Sequence, residues 1–284
     1  MTSNAPSTAY VWVWLPSATE PIVAGRVDSG GPTYSFTYGQ SYLERNEAIA
    51  LADELPLQSG QQLPPAGLNI AGCLRDAAPD AWGRRVILNK ALGAKGQDAD
   101  TTDLDELTYL LESGSDRIGA LDFQLSPNEY LPRQHEGASL EQLLDAAQYV
   151  EDGTPLPPEL AQPLLHGSSI GGARPKALLQ EGEKKYVAKF SSSSDVWPVV
   201  KGEYIAMRLA ALCGINAAPV QLKQALGKDA LIVERFDRSL TATGWQRSNM
   251  HSALTLLGLN EMEARYASYE DLAELVRRKF TEPK

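Results

Sequence analysis

The sequence is poor in the residues that most often announce chemistry: 284 residues include two cysteines and three histidines. Cys73 and Cys213 each sit in an apolar stretch, far apart, and are too few for a disulfide scaffold or a cysteine-based zinc site. His135, His166 and His251 have no carboxylate or cysteine at metal-ligand spacing, so zinc hydrolysis fits poorly and no metal site is expected. No apolar run approaches the roughly 18 residues of a membrane-spanning helix. The opening Met1-Thr2-Ser3-Asn4-Ala5-Pro6-Ser7 has neither the basic nor the apolar segment of a secretory signal. A reducing cytoplasm is the expected compartment, with no membrane partner. Basic residues are the minority too, 26 Lys and Arg against 36 Asp and Glu, for a net charge of −10. A protein that grips DNA unaided needs a basic face to displace counterions from phosphate, and this balance argues against one. What is left is an ordinary globular composition, 43% hydrophobic and 22% charged, at a length suited to two domains or one large one.

The chain opens in a β pattern. Residues 10–15, 22–27 and 34–38 are β-branched and aromatic runs, the last two separated by the turn Ser29-Gly30-Gly31-Pro32, which predicts an antiparallel meander. A helix is expected over 71–92, where Leu74, Trp82, Val86, Ile87 and Leu92 recur at helical spacing, with a break at Pro79. A short helix over 103–111 and a returning strand over 118–123 follow. Residues 126–139 turn polar and Pro-containing, the best linker, and 140–150 is helical. Beyond Thr154-Pro155-Leu156-Pro157-Pro158 the pattern reads as strand, glycine loop and strand over 164–179. A strand over 186–190, a helix over 202–212 stopping at Gly214, and a strand over 230–236 complete this stretch. Ile205, Leu209 and Leu212 mark what should be the packed side of that helix. Residues 250–280 are helical in pattern. The implied divisions are 1–125, 126–160, 161–240 and 241–284.

The most informative segment is Ser168-Ser169-Ile170-Gly171-Gly172-Ala173-Arg174-Pro175-Lys176. Glycine-rich loops bind phosphate because bare N–H groups approach the oxygens with no Cβ in the way. A Walker A loop is excluded, since Ala173 stands where lysine is needed after Gly167 and Gly172. Two readings stay open: a hairpin turn, or a loop of the kind that covers ATP phosphates in protein kinases. Lys189 lies in a strand with Val187 on its face, while Tyr186, Ala188 and Phe190 take the other. It is either a solvent-facing lysine or the strand lysine that holds the α- and β-phosphates and pairs with a helix glutamate. Glu203 stands early in the next helix, where it is that glutamate or a first-turn acid favoured by the helix dipole. Val233-Glu234-Arg235-Phe236 then falls where a kinase hinge would meet adenine. The order of these four elements is far more specific than any one of them.

Taken together, Ser169 to Lys176, the Lys189 strand, the Glu203 helix and Val233-Glu234-Arg235-Phe236-Asp237-Arg238 resemble the N-terminal lobe of HipA-type serine/threonine protein kinases, toxins of type II toxin–antitoxin systems. Leu55-Pro56-Leu57, the Pro79-Asp80 region and Arg117-Ile118-Gly119-Ala120-Leu121 are similar to that family's N-terminal subdomain, so the resemblance runs from about Tyr10 to Phe280. The implied fold is α/β (α+β), a kinase-like lobe preceded by a small β-rich subdomain. The resemblance implies that Gly171, Gly172, Ala173, Arg174, Pro175 and Lys176 cover the phosphates of ATP, and that Lys189, with Glu203, holds them. It further implies hinge backbone contacts from Glu234 and Phe236, and makes Ser169 the loop serine that family members autophosphorylate. Asp237 either faces the ribose or pairs with Arg235 or Arg238. The implied cofactors are ATP and Mg²⁺. The implied partners are a HipB-like DNA-binding antitoxin, through which DNA is met only indirectly, and an aminoacyl-tRNA synthetase as substrate.

The sequence departs from the family in one respect. The family's Asp-x-His-x-(Lys/Arg)-Asn catalytic stretch and its later metal-binding Asp-Ile do not occur in it, and the late acids Glu261, Glu263, Glu270, Asp271 and Glu274 sit in helix patterns. The expectation is a family member truncated before its catalytic loop, with the C-terminal lobe largely missing and no kinase activity of its own. The alternative is a non-catalytic nucleotide- or antitoxin-binding module of a split or degenerate system.

Overall fold

The structure, a computed structural model, describes residues 6–92, 104–133 and 138–282. Residue 103, where the second helix was expected to begin, His135 and the centre of the expected linker lie outside the described residues. Five strands, β1 (Thr8–Val13), β2 (Ile22–Ser29), β3 (Tyr34–Tyr38), β4 (Gln61–Gln62) and β5 (Leu121–Gln124), form an antiparallel sheet in the order β4-β3-β2-β1-β5. The expected meander is β1 to β3, and the returning strand β5 pairs with β1 from Tyr10↔Gln124 to Val13↔Leu121. Helices α1 (Gln40–Leu43), α2 (Gly72–Asp76), α3 (Ala81–Leu92) and α4 (Glu106–Glu112) follow the first strands. The break at Pro79 is real and it has a consequence. Leu74 of α2 joins Val11, Val27, Phe36, Leu110 and Phe123 in the core of the first sheet, whereas Trp82, Val86, Ile87 and Leu88 of α3 belong to a second core.

That second core is built by α3, α5 (Leu140–Glu151), α6 (Pro158–His166) and a sheet ordered β6-β7-β9-β8. Its strands are β6 (Lys176–Glu181), β7 (Lys184–Phe190), β8 (Val220–Ala225) and β9 (Lys228–Glu234), all antiparallel. Alternation in β7 buries Tyr186, Ala188 and Phe190 and leaves Val187 and Lys189 half-buried on the other face, as the pattern requires. Helix α7 (Val199–Leu212) lies beside β8 and β9. A hairpin of β10 (Arg238–Thr241) and β11 (Gly244–Arg247) comes next, then α8 (Ala253–Leu257), a 3₁₀ turn over Glu261–Tyr266 and α9 (Tyr269–Lys279). The result is a mixed α/β fold with antiparallel sheets.

Three expectations fail here. Residues 164–166 are the end of α6, not a strand: Pro158 opens the helix at a position where its missing N–H costs nothing, and Ala161, Leu164 and Leu165 are buried at helical spacing. The glycine loop therefore runs from a helix to a strand, and does not join two strands. Ile205, Leu209 and Leu212 are not a packed side, for they are 56%, 55% and 76% exposed and Val200 alone is buried in α7. Helical periodicity marks which side is apolar; it carries no information on whether another element covers it. Finally, the polar stretch expected as a linker is strapped down over its described first half. Tyr130 packs at a tilt against Trp12 and edge-on against Trp14, and Arg133 donates to the Ser113 and Phe123 carbonyls and to Asp122.

Candidate functional site

The glycine loop is shaped from outside by α3. Gly83 lets α3 press onto the segment preceding the loop, because a Cβ there would lie 1.7 Å from the Ser168 carbonyl oxygen. From the same helix Trp82 donates its indole N–H to the Lys176 carbonyl at 2.9 Å, and Arg85 donates to the Ala173 carbonyl at 2.6 Å. Asp80, just before the helix, accepts the Gly172 N–H at 2.5 Å. Gly172 has a φ of +106°, a conformation closed to other residues at low cost. At the far end Arg174 Nη2 donates to both carboxylate oxygens of Asp195 at 2.6 and 2.5 Å, and the Pro175 carbonyl accepts the Phe190 N–H at 2.9 Å.

Two lysines stand beside the loop on neighbouring strands, since Lys176 of β6 pairs with Lys189 of β7 in the sheet register. Lys189 Nζ forms an ion pair with Glu203 of α7, so the strand lysine and the helix glutamate meet. Lys176 is only 3% exposed, and its ammonium has no hydrogen-bond partner among the described residues. Burial pushes its pKa down to about 8, against an opposing pull from Asp80. A buried, unpartnered amine beside a glycine loop fits a ligand that brings anionic oxygens.

The expected hinge residues are largely occupied by the protein itself. The Glu234 N–H donates to Pro219 O at 2.9 Å and its carboxylate pairs with Lys184 at 2.7 Å, whereas Phe236 is 72% exposed. Asp237 does not face an open ribose position: its carboxylate accepts from the Gly119 N–H at 2.9 Å, from Arg235 at 2.9 and 2.8 Å, and from Arg238 at 2.9 Å. Pairing with its neighbours was the other expectation for this residue, and it is the one the structure adopts. Asp116 completes the cluster, bonded to Arg235 at 3.2 Å, Arg238 at 2.9 Å and Lys185 at 2.6 Å. Burial alone would raise its pKa, but Arg235, Arg238, Lys185 and Arg247 hold it well below the ordinary carboxylate value. Ser169 is fully buried and donates its hydroxyl to the Gly114 carbonyl at 2.9 Å, so a phosphate could reach it only after the loop has moved.

Residues 16–124 match the family model described as HipA N-terminal domain, and residues 168–284 match HipA-like C-terminal domain. The chain belongs to the HipA family. A protein of Sinorhizobium fredii named "Putative kinase Y4mE" is 29% identical over 281 residues, covering 87% of this chain and 60% of that protein. A chain of the solved Shewanella oneidensis MR-1 toxin–antitoxin complex of HipA, HipB and operator DNA is alike in fold. That likeness has a TM-score of 0.53 and 22% identity, over 89% of this chain and 59% of that one. The chain thus spans about three fifths of the length of both. In this HipA-family chain the stretch between the two matched models contains α5 and α6, which pack beneath the second sheet.

The sequence pattern gives no sign that Asp80, Trp82, Gly83 and Arg85 shape the glycine loop. They lie about 90 positions before the HipA glycine loop that they shape, and the one local signal was a glycine inside a helix.

Proposed function

We propose that the glycine loop, Lys176, Lys189 and Glu203 form the phosphate end of an ATP site, and that the protein acts as a nucleotide-binding HipA-type kinase-like protein. The observation that carries this reading is the unpartnered, buried Lys176 ammonium beside Gly172, next to a Lys189 already oriented by Glu203. The described residues fit the phosphates of a nucleotide. Among the described residues no group of three or more His, Cys, Asp or Glu is placed to hold a metal by itself, so a Mg²⁺ here would lean on the nucleotide phosphates. When bound, ATP supplies a transferable γ-phosphoryl group. Lys189 and Lys176 neutralise phosphate charge, and the Gly171–Gly172 backbone lets the loop approach without side chains. The exposed Phe236 lies beyond β9, where an adenine edge would rest.

A catalytic base is a separate matter. The sequence contains no Asp-x-His-x-(Lys/Arg)-Asn stretch, and Asp237 is committed to two arginines, so residues 1–284 bind nucleotide without transferring its phosphoryl group. By family, the partners are a HipB-like antitoxin, with DNA met through it, and the substrate of the catalytic process is an aminoacyl-tRNA synthetase. Ser169 is the candidate for regulatory phosphorylation, its phosphate adding about −1.5 to −2 charges beside the ATP phosphates.

Calorimetry of the purified chain with ATP and ADP tests the site. Wild type should bind, and Lys189→Ala should lose about tenfold or more, the value of a charge-assisted contact to phosphate. Equal heats for the two proteins would reject the site. Incubation with Mg-ATP and a synthetase should leave both proteins unphosphorylated, and transfer abolished by Lys189→Ala would reject the non-catalytic part of the reading.

A further inference from the structure

We propose, building on the nucleotide reading above, that Asp80 is an internal competitor for the phosphate position: its carboxylate occupies the Gly172 amide in the free protein and is displaced when nucleotide phosphate binds. The contact is close, with Asp80 Oδ2 accepting the Gly172 N–H at 2.5 Å, and the same oxygen would lie 2.9 Å from a Cβ placed on Gly171. The carboxylate therefore lies against both glycines. An N–H exposed by a glycine in the left-handed region belongs to the backbone concavities that select anions, and here the anion is a side chain from 92 positions earlier.

The occupancy is incomplete in a telling way. Among the described residues no lysine, arginine or histidine nitrogen lies within 4.0 Å of the Asp80 carboxylate, and the Lys176 ammonium beneath the loop has no hydrogen-bond partner. The acid and the base thus serve the same loop and feel each other's charge without forming a direct ion pair. A phosphate carries three oxygens on one centre and can satisfy the Gly172 amide and Lys176 together. Asp80 and Gly172 are both exposed, so the released carboxylate passes into water at little cost. Were Asp80 to stay, its charge would oppose the incoming phosphate. The residue sits at the start of α3, whose Trp82 and Arg85 also hold the loop, so displacing it links nucleotide occupancy to the N-terminal part of the chain.

Asp80→Asn keeps the shape and a carbonyl acceptor for Gly172 while removing the charge. ATP and ADP should bind this variant about tenfold more tightly than wild type, the order of one screened like-charge contact removed. Adenosine, which has no phosphate, should bind both proteins equally. A gain in affinity cannot arise from damage to the fold, and Asp80→Ala should reproduce it while also speeding amide exchange at Gly172. Unchanged or weaker ATP binding by Asp80→Asn, or an equal gain for adenosine, would overturn the competitor role and leave the nucleotide site standing. Absence of ATP binding by wild type and both variants would overturn the nucleotide site and the competitor together.

Discussion

Lys176 concentrates the tension between stability and binding on one side chain. A lysine normally titrates at 10.5, but burial lowers this one to about 8 in the folded protein. Between those values the unfolded chain binds the proton and the folded chain does not, so this group makes stability rise with pH from about 8 to 10.5. At pH 7 the amine is charged in both states and its burial counts fully against the fold. Lys176→Met should therefore raise stability at pH 7 by about 3 kcal/mol, the order of the differential value of the depressed lysine, while abolishing ATP binding. Urea melts at pH 7 and pH 10 check the first part, because the advantage of the variant should shrink at the higher pH. Lys189 was legible from strand alternation and Glu203 from its place early in the next helix, since both cues are local. Asp80 was not, because its partner is 92 positions away and nothing in a linear pattern pairs an acid with a backbone amide.

At the level of elements, strand alternation and helix capping explain most of what forms. Ser139 with Gln142 and Ser268 with Asp271 make capping boxes at the starts of α5 and α9. β7, β9, α5 and α7 lie close to where residue periodicity places them. α6, β8 and the β10–β11 hairpin escaped it. α6 hides its start behind prolines, and β8 carries Gln221, Lys223 and Gln224 on a sheet edge where little is buried. α7 also shows the limit of periodicity, with Ile205, Leu209 and Leu212 turned to solvent. Replacing one of these should cost almost nothing. Leu209→Lys is expected to change stability by less than about 0.5 kcal/mol, as at other exposed positions, whereas Phe190→Ala in the second core should cost about 3–5 kcal/mol. Thermal melts of the two variants separate these values, and a large loss for Leu209→Lys would mean that the face is covered.

Across the whole molecule, the two cores are joined by a buried ionic cluster rather than by apolar packing alone. Asp116 reaches Arg235, Arg238 and Lys185, and the Arg117 carbonyl accepts from Arg235 at 2.7 Å. The cluster ties the segment leading into β5 to the chain leaving β9. Removing Asp116 would leave Lys185 without its carboxylate partner and Arg235 and Arg238 sharing Asp237 alone, so Asp116→Ala should cost about 3–5 kcal/mol in a denaturant titration. The carboxyls of Asp116, Asp122 and Asp237 all titrate below their ordinary value of 3.8, in each case because nearby arginines outweigh the effect of burial. Their stabilisation is complete above that value and is lost as pH falls below it. Wild-type stability should therefore drop steeply below about pH 4, and the drop should be shallower in Asp116→Ala.

Local sequence carried the mixed α/β character, the meander, the break at Pro79 and the order of glycine loop, strand lysine and helix glutamate. Each of these depends on neighbours within one or two turns or on strand alternation, where side-chain period and backbone preference act directly. Tertiary structure alone decided that α3 leaves the first core for the second, that Asp80 lies in the glycine loop, and that Asp237 faces arginines. It also decided that the apolar side of α7 lies open. These features depend on which distant segments meet, and a burial pattern records that a side chain is apolar without naming what it will touch.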